Sequence, residues 1–338
     1  MPSSSIQDRS TMITTDLEIF ADSFAKDVDR GLRQTPKNIP CIYFYDYQGS
    51  LLFEKICRLE EYYLTRAETE ILKTFSEDIV SCLPTDLVLV ELGSGSCIKT
   101  QLIIEELLNQ HDKVTYSPID ISKKMLKESS ISLLEQYEDL EIISIAAEYE
   151  EGLRQIDMRD ERPKLILWLG SSIGNFEQQE AIRFLQNTVK TLSSQDYLLI
   201  GFDLIKERRA LEQAYNDNQY VTATFNLNLL SRINRELGGE FDPNTFRHKA
   251  VYNEENSRIE MYLISTCEQD VYIADLDRSY HFKKNERIHT ENSHKFSLQA
   301  IDQLADEVGM EIIKQWFDTK RYFNVTLFQP HKEKSLLK

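Results

Sequence analysis

The chain reads as an α/β protein, with an open, mostly parallel sheet covered by helices and a second, discontinuous α+β domain. Three observations predict this. Between residues 87 and 202 short apolar runs alternate with helical patterns, the rhythm of buried parallel strands and their crossover helices. The rhythm stops near Asp203, where long helical stretches and antiparallel-looking strands take over. It returns as a helix over 298–308 and a last strand over 322–328, so the parallel domain is interrupted rather than finished.

Each element has its own reason. Residues 1–15 are rich in Ser and Thr and lack the apolar stretch of a signal peptide, so they read as a flexible leader. Leu17, Phe20, Ala21, Phe24, Val28 and Leu32 recur at helical spacing behind Asp16, a suitable cap, and Pro36 and Pro40 close that helix. After an aromatic-rich stretch over 43–53, Thr65 is expected to cap a helix over 66–75, with Glu68 and Glu70 favouring its first turn. Strands are expected at 87–92, 114–119, 140–146, 165–169 and 197–202. Helical patterns separate them through Leu102, Ile103, Leu107 and Leu108, over 123–137 and over 180–192. Beyond them, 210–237 reads as one or two helices, and 258–264 and 270–273 as antiparallel strands. The expected domains are a Rossmann-like one at 66–204 plus 295–330 and a second at 16–65 plus 205–294.

Composition narrows the function. Against 39 basic residues stand 56 acidic ones, a net charge of −17 that repels phosphate backbones, so no nucleic-acid partner is expected. No stretch is apolar enough for a membrane helix. Cys41, Cys57, Cys82, Cys97 and Cys267 are odd in number without C-x-x-C spacing, and the six histidines are scattered. A disulfide framework and a metal site are therefore not expected, and a cytoplasmic setting is. No feature calls for a protein partner, and a monomer is expected.

The chemistry begins at Glu91-Leu-Gly93-Ser94-Gly95, between a buried strand and a helix, where glycines let a ligand approach the backbone closely. A dinucleotide fingerprint would place a third glycine at position 98, which holds Ile98. That glycine serves to seat a pyrophosphate on a helix N-terminus. S-adenosylmethionine (SAM) carries no phosphate, so an acidic strand end with two glycines suits SAM better than NAD. Asp120, ending the next strand, offers a carboxylate to ribose hydroxyls. Glu148 and Tyr149, after the third strand, offer a carboxylate to the adenine amino group and a ring beside the base.

At this point the chain resembles a known family, the histidine-specific SAM-dependent Nα-methyltransferases of ergothioneine biosynthesis. The resemblance runs from about Phe24 to Phe328 and rests on many blocks in one order. They are Phe44-Tyr-Asp46, Gly49-Ser50, Glu61-Tyr-Tyr-x-Thr-Arg66, the Glu91–Gly95 loop with Lys99-Thr100, and Leu169-Gly-Ser-x-Ile-Gly-Asn175. Phe225-Asn226, Asn234-Arg-Glu-Leu237, Arg258-Ile-Glu-Met261, Thr290-Glu-x-Ser293 and Lys295-Phe296 complete the set. The resemblance implies a class I SAM methyltransferase domain and conversion of L-histidine to its trimethyl betaine, hercynine.

It also implies roles. The positions matching Gly93, Ser94, Gly95, Lys99, Asp120, Glu148 and Tyr149 form the SAM site, and Glu148-Tyr149 stands where Asp-Phe is more usual. Tyr62, Asn175 and Tyr215 match residues holding the amino acid's backbone groups, chiefly its carboxylate. Tyr45 matches a tyrosine near the reacting amine, and Tyr45, Asn175 or a water is the expected route for the proton. Met261, Glu291 and Ser293 match the imidazole pocket, and Thr222 a threonine close to the ring. Three rival readings stand beside this one. They are a methyltransferase for another amino acid, a SAM-binding protein without catalysis, and an NAD-dependent oxidoreductase, which Ile98 disfavours.

Overall fold

The computed structural model describes residues 6–15 and 18–331. The chain begins with β1 (Ser10–Thr14), α1 (Glu18–Arg33), β2 (Lys37–Asn38), α2 (Tyr47–Ile56) and α3 (Tyr63–Val80). The alternating part follows as β3 (Val88–Leu92), α4 (Gln101–Gln110), β4 (Val114–Asp120), α5 (Lys123–Gln136) and β5 (Leu140–Ala146). It continues through α6 (Tyr149–Asp157), β6 (Lys164–Trp168), α7 (Gln178–Thr191) and β7 (Tyr197–Asp203). Next come α8 (Arg208–Ala214), α9 (Val221–Leu237), β8 (Phe246–Asn253), β9 (Arg258–Ser265), β10 (Gln269–Ile273), β11 (Arg278–Phe282) and β12 (Arg287–His294). The chain closes with α10 (Leu298–Val308), β13 (Met310–Phe317) and β14 (Phe323–Pro330). Two compact units result: Met1–Thr15, Leu64–Ile205 and Lys295–Lys338 form one, and Asp16–Tyr63 with Lys206–His294 the other.

The first unit is built on an eight-stranded sheet in the order β1-β5-β4-β3-β6-β7-β14-β13. All neighbours are parallel except around β14, which runs antiparallel to both β7 and β13. Strand order reverses between β3 and β6, and beyond the C-terminal ends of such a pair open α/β sheets bind their ligands. This is the open, mostly parallel α/β sheet expected from the sequence, with β1 added at one edge. Every residue of β3 and β6 is buried. Val88, Val90, Leu92, Ile166, Ile200, Phe202 and Phe328 share one core with Trp168, whose ring meets Phe184 at 4.8 Å and Phe176 at 5.4 Å.

Helix α2 and strands β2, β8, β11, β12 and β13 were not expected, and three further elements differ from the sequence expectation. Ser10–Thr14, within the stretch read as a flexible leader, is strand β1, paired with β5 from Ser10↔Ile142 to Thr14↔Ala146. The Arg9 guanidinium pins its start by donating to the carbonyls of Leu134, Tyr137 and Leu140 at 2.8, 2.6 and 3.2 Å. Five residues carry too little periodicity to announce such a strand. Helix α6 was not expected, because Gly152 and a run of acids hide its apolar face. The glycine is required there, since a Cβ would lie 2.4 Å from Ile119 Cγ2. Helix α3 starts at Tyr63 rather than behind Thr65, so Glu68 leaves the first turn and falls on the buried stripe with Leu64, Ala67, Ile71 and Leu72. The expected cap Asp16 and Leu17 lie outside the described residues, as do the side chains of Phe20 and Ala21.

The second unit carries a four-stranded sheet, β2-β12-β9-β8, and a two-stranded ribbon, β10-β11. Its pairs are antiparallel except β2 with β12. Helix α2 follows the aromatic-rich stretch, and its cap is Asp46, whose carboxylate accepts from the Gly49 N–H at 2.7 Å. The stretch 210–237 is two helices, α8 and α9. Strand β12 holds a bulge between His289 and Glu291. It puts Glu291 opposite Met261 and Ser293 opposite Ile259, while His289 faces Tyr262. Among the described residues no helix is long and apolar enough to cross a membrane.

Candidate functional site

In the first unit the glycine loop leaves β3 with both glycines in the left-handed region, φ +71° at Gly93 and +49° at Gly95. A Cβ at Gly93 would meet the Tyr149 hydroxyl at 2.7 Å, whereas one at Gly95 would project into open space. The Ser94 hydroxyl between them is buried without a hydrogen-bond partner. Asp120 closes β4 with one carboxylate oxygen accepting from the Gly95 N–H at 3.0 Å and the other from the Ser122 N–H at 2.8 Å. Burial raises its pKa, and these backbone donors hold the rise in check. Asp120 therefore shapes the loop as well as presenting a carboxylate at its rim.

Glu148 is the exposed cap residue of α6, and Tyr149 opens that helix with its ring 6.1 Å from Trp168. Glu91 is buried beneath the loop. It accepts from Thr100 Oγ1 at 2.5 Å and from the Tyr116 hydroxyl, and burial, opposed by those bonds, pushes its pKa up to about 7. After β6, Ser171 sits at φ +56° and a short 3-10 turn, Ser172–Asn175, ends in Asn175. The Ser171 hydroxyl accepts from the Asp203 N–H at 2.9 Å, and Asp203 forms a fully buried ion pair with Lys295 at 2.9 Å. The Lys295-Phe296 block thus locks the end of β7, where the Phe296 N–H also donates to the Asp203 carbonyl at 2.9 Å.

These residues fit SAM. An open cradle at Gly95, an orphaned hydroxyl at Ser94, and a carboxylate and a cation at Asp120 and Lys99 are what an uncharged ribose and a zwitterionic amino acid require.

In the second unit the expected amino-acid-binding side chains are linked through an aromatic chain. Tyr45 packs edge-on against Phe53 at 5.6 Å and Phe225 at 5.8 Å, Phe53 meets Tyr62 at 6.2 Å, and Tyr62 meets Tyr215 at 6.0 Å. The Tyr215 hydroxyl and Ser293 Oγ are 2.8 Å apart. Burial lifts the Tyr62 hydroxyl well above its ordinary pKa, reinforced by nearby Tyr215, Cys57, Tyr45 and Glu291. Tyr62 is therefore a neutral donor throughout the physiological range. Met261 and Glu291 are direct cross-strand partners, both buried, with Ser293 two residues on along the same strand face. Thr222, in the first turn of α9, is buried and donates its N–H to Asp217 at 2.8 Å. Of the expected substrate residues, the second unit carries Tyr45, Tyr62, Tyr215, Thr222, Met261, Glu291 and Ser293, and the first unit carries Asn175.

Several supporting residues escaped the sequence reading. His248 Nε2 lies 2.8 Å from the Tyr215 carbonyl, and its Nδ1 lies 2.9 Å from Asn226 Nδ2, which also donates to the Tyr262 carbonyl at 3.2 Å. With Asn226 as donor, His248 carries its proton on Nε2 and gives it to Tyr215, which explains the Phe225-Asn226 block. Burial lowers the His248 pKa and keeps the ring neutral. Glu68 was placed on the wrong part of its helix. A carboxylate in register with Leu64, Ala67, Ile71 and Leu72 was the signal available.

Comparison with known proteins identifies a family. Residues 24–330 match the model of the family described as histidine-specific, SAM-dependent methyltransferase. A histidine N-alpha-methyltransferase of Mycobacterium tuberculosis is 38% identical over 302 residues, covering 89% of this chain and 93% of that protein. One from Mycolicibacterium smegmatis is 36% identical over 307 residues, covering 91% and 95%. An ergothioneine biosynthesis protein 1 of Neurospora crassa is 32% identical over 286 residues, which cover 83% of this chain and 32% of that longer protein.

Proposed function

Because the chain belongs to the family of histidine-specific, SAM-dependent methyltransferases, we propose that it methylates the α-amino group of free L-histidine three times, yielding hercynine for ergothioneine biosynthesis. The observation that carries this reading is the buried Met261–Glu291 cross-strand pair with Ser293 beside it. An apolar wall, an acceptor and a hydroxyl on one strand face are what an imidazole asks for. An apolar or indole side chain would leave Glu291 and Ser293 without their partners, a penalty worth orders of magnitude in selectivity.

SAM supplies an electrophilic methyl on its sulfonium, and the protein's work is to position the amine and keep water away. Tyr62 and Tyr215 give hydroxyl donors to the substrate carboxylate, with Asn175 as an amide donor. Each transfer needs a neutral amine, so a proton leaves the nitrogen before each new N–C bond forms, and Tyr45 or Asn175 passes it on. We assign Thr222, buried in the first turn of α9, to the ring side of the pocket. Gly93, Ser94, Gly95, Lys99, Asp120, Glu148 and Tyr149 hold the methyl donor. All five cysteines are free thiols, which suits the reducing cytoplasm where we place the enzyme as a monomer.

The test is mass spectrometry of the products after incubation of the purified protein with SAM and all twenty amino acids. Histidine gaining three methyl groups, with the rest unaltered, is the expected result. Methylation of another amino acid instead would overturn the roles given to Glu291 and Met261.

A further inference from the structure

Glu68 is the most deeply buried carboxylate beside the cofactor loop, and three features converge on it. Its side chain is 0% exposed, and one oxygen holds the Lys99 ammonium. Both oxygens accept from the Gly170 N–H at 2.9 Å, at the C-terminal end of β6. Gly201, in the middle of buried β7, leaves room for it, since a Cβ there would lie 2.1 Å from Glu68 Oε1. A glycine inside a strand weakens it and marks a place where another group comes close. The fold thus gives up a side chain in a central strand to admit one carboxylate.

Electrostatics gives that carboxylate a purpose. A buried charge is costly unless paired, and Lys99 is the cation that pairs it. Lys99 itself is partly exposed, with 23% of its side chain accessible, so it faces outward from a buried anchor. A lysine side chain gives up rotamer freedom when it is fixed, and Glu68 fixes it before any ligand arrives. SAM has one anionic group, its α-carboxylate, the natural partner of an ammonium. SAM also carries two positive charges, so an uncompensated lysine would repel much of the ligand it is meant to hold.

We propose that Glu68 is a positioning residue for the methyl donor: it fixes the Lys99 ammonium and the Gly170 backbone so that they meet the amino-acid end of SAM. The proposal rests on the reading that Lys99 contacts SAM.

The experiment is isothermal titration of the full chain with S-adenosylhomocysteine and with 5′-methylthioadenosine, which keeps the nucleoside but lacks the amino acid. Glu68→Gln is expected to weaken S-adenosylhomocysteine by about tenfold or more, the loss of one charge-assisted contact, and to leave methylthioadenosine unchanged. Equal weakening of both ligands, or of neither, would show that Glu68 only supports the fold and would overturn the proposal. Lys99→Met should reproduce the selective loss, and adding Glu68→Gln to it should cost little more. If Lys99→Met leaves S-adenosylhomocysteine unchanged, the Lys99 reading falls and the proposal with it. If Lys99→Met weakens it and Glu68→Gln does not, Glu68 alone is refuted. Should Glu68→Gln fail to fold, Glu68→Asp keeps the charge but retracts it by one methylene. That variant should give a smaller loss, again confined to the ligand bearing the amino acid, and an equal effect on both ligands would again refute the idea.

Discussion

Glu291 and Glu91 are both buried glutamates, and they do opposite work. Glu291 pairs across the strands with Met261, so truncating it would remove the acceptor we propose for a bound imidazole. Glu291→Ala should lower kcat/KM for histidine by about 100-fold or more and leave the Kd of SAM unchanged, a split that steady-state kinetics and calorimetry resolve. Glu91 lies under the glycine loop with its pKa raised to about 7, so the folded state holds its proton more tightly than the unfolded chain does. Its stabilising contribution is complete below pH 4.5 and is lost as pH rises through 7, a change of about 3 kcal/mol. Glu91→Gln should abolish that pH dependence, so the stability gap between variant and parent changes by most of this amount between pH 5 and 8. Urea unfolding at both pH values measures it, and a constant gap would contradict the assignment.

The bulge in β12 decides which side chains share the face of Met261. In an unbroken strand His289 and Glu291 would share a face, whereas the extra residue Thr290 turns Glu291 and Ser293 to the side of Met261. Thr290 Oγ1 donates to the Met261 carbonyl at 3.1 Å and so steadies the irregular stretch. Thr290→Val keeps the shape but removes that bond. It should cost roughly 1–3 kcal/mol in stability and raise the KM for histidine without altering SAM affinity, as seen by thermal unfolding alongside kinetics. This bulge was not legible from the sequence, nor were β2, β8, β11, β12, β13, α2 and α6. Register depends on a partner strand far along the chain, and local composition says nothing of it. The strands β3 to β7 were legible because they are buried on both faces and separated by helices, which leaves continuous apolar runs. In the site, Gly93, Gly95 and Asp120 stood out through backbone needs and strand-end position. Glu291, Met261 and Tyr215 were identified only through the family blocks, since each taken alone reads as a surface charge or a core residue. His248 and Glu68 escaped because their partners, Tyr215 and Gly170, lie far away in sequence.

In the molecule as a whole, β1 covers the edge of β5 that would otherwise stand open. Deletion of residues 1–15 should lower the midpoint of thermal unfolding by on the order of 5 °C and promote aggregation. Calorimetry with light scattering checks this, and an unchanged midpoint would show that the strand is dispensable. The placement of β14 between β7 and β13 has a consequence for biosynthesis. The second unit is complete once His294 has been made, yet β7 waits for Phe323 and the residues after it before its free edge is paired. On the ribosome the inserted unit can therefore close first, while the cofactor-binding sheet stays open along one side until the final strand emerges. A chain halted anywhere in that interval would expose an apolar strand edge to its neighbours, so the stretch that carries β14 is the one that makes the sheet safe to release.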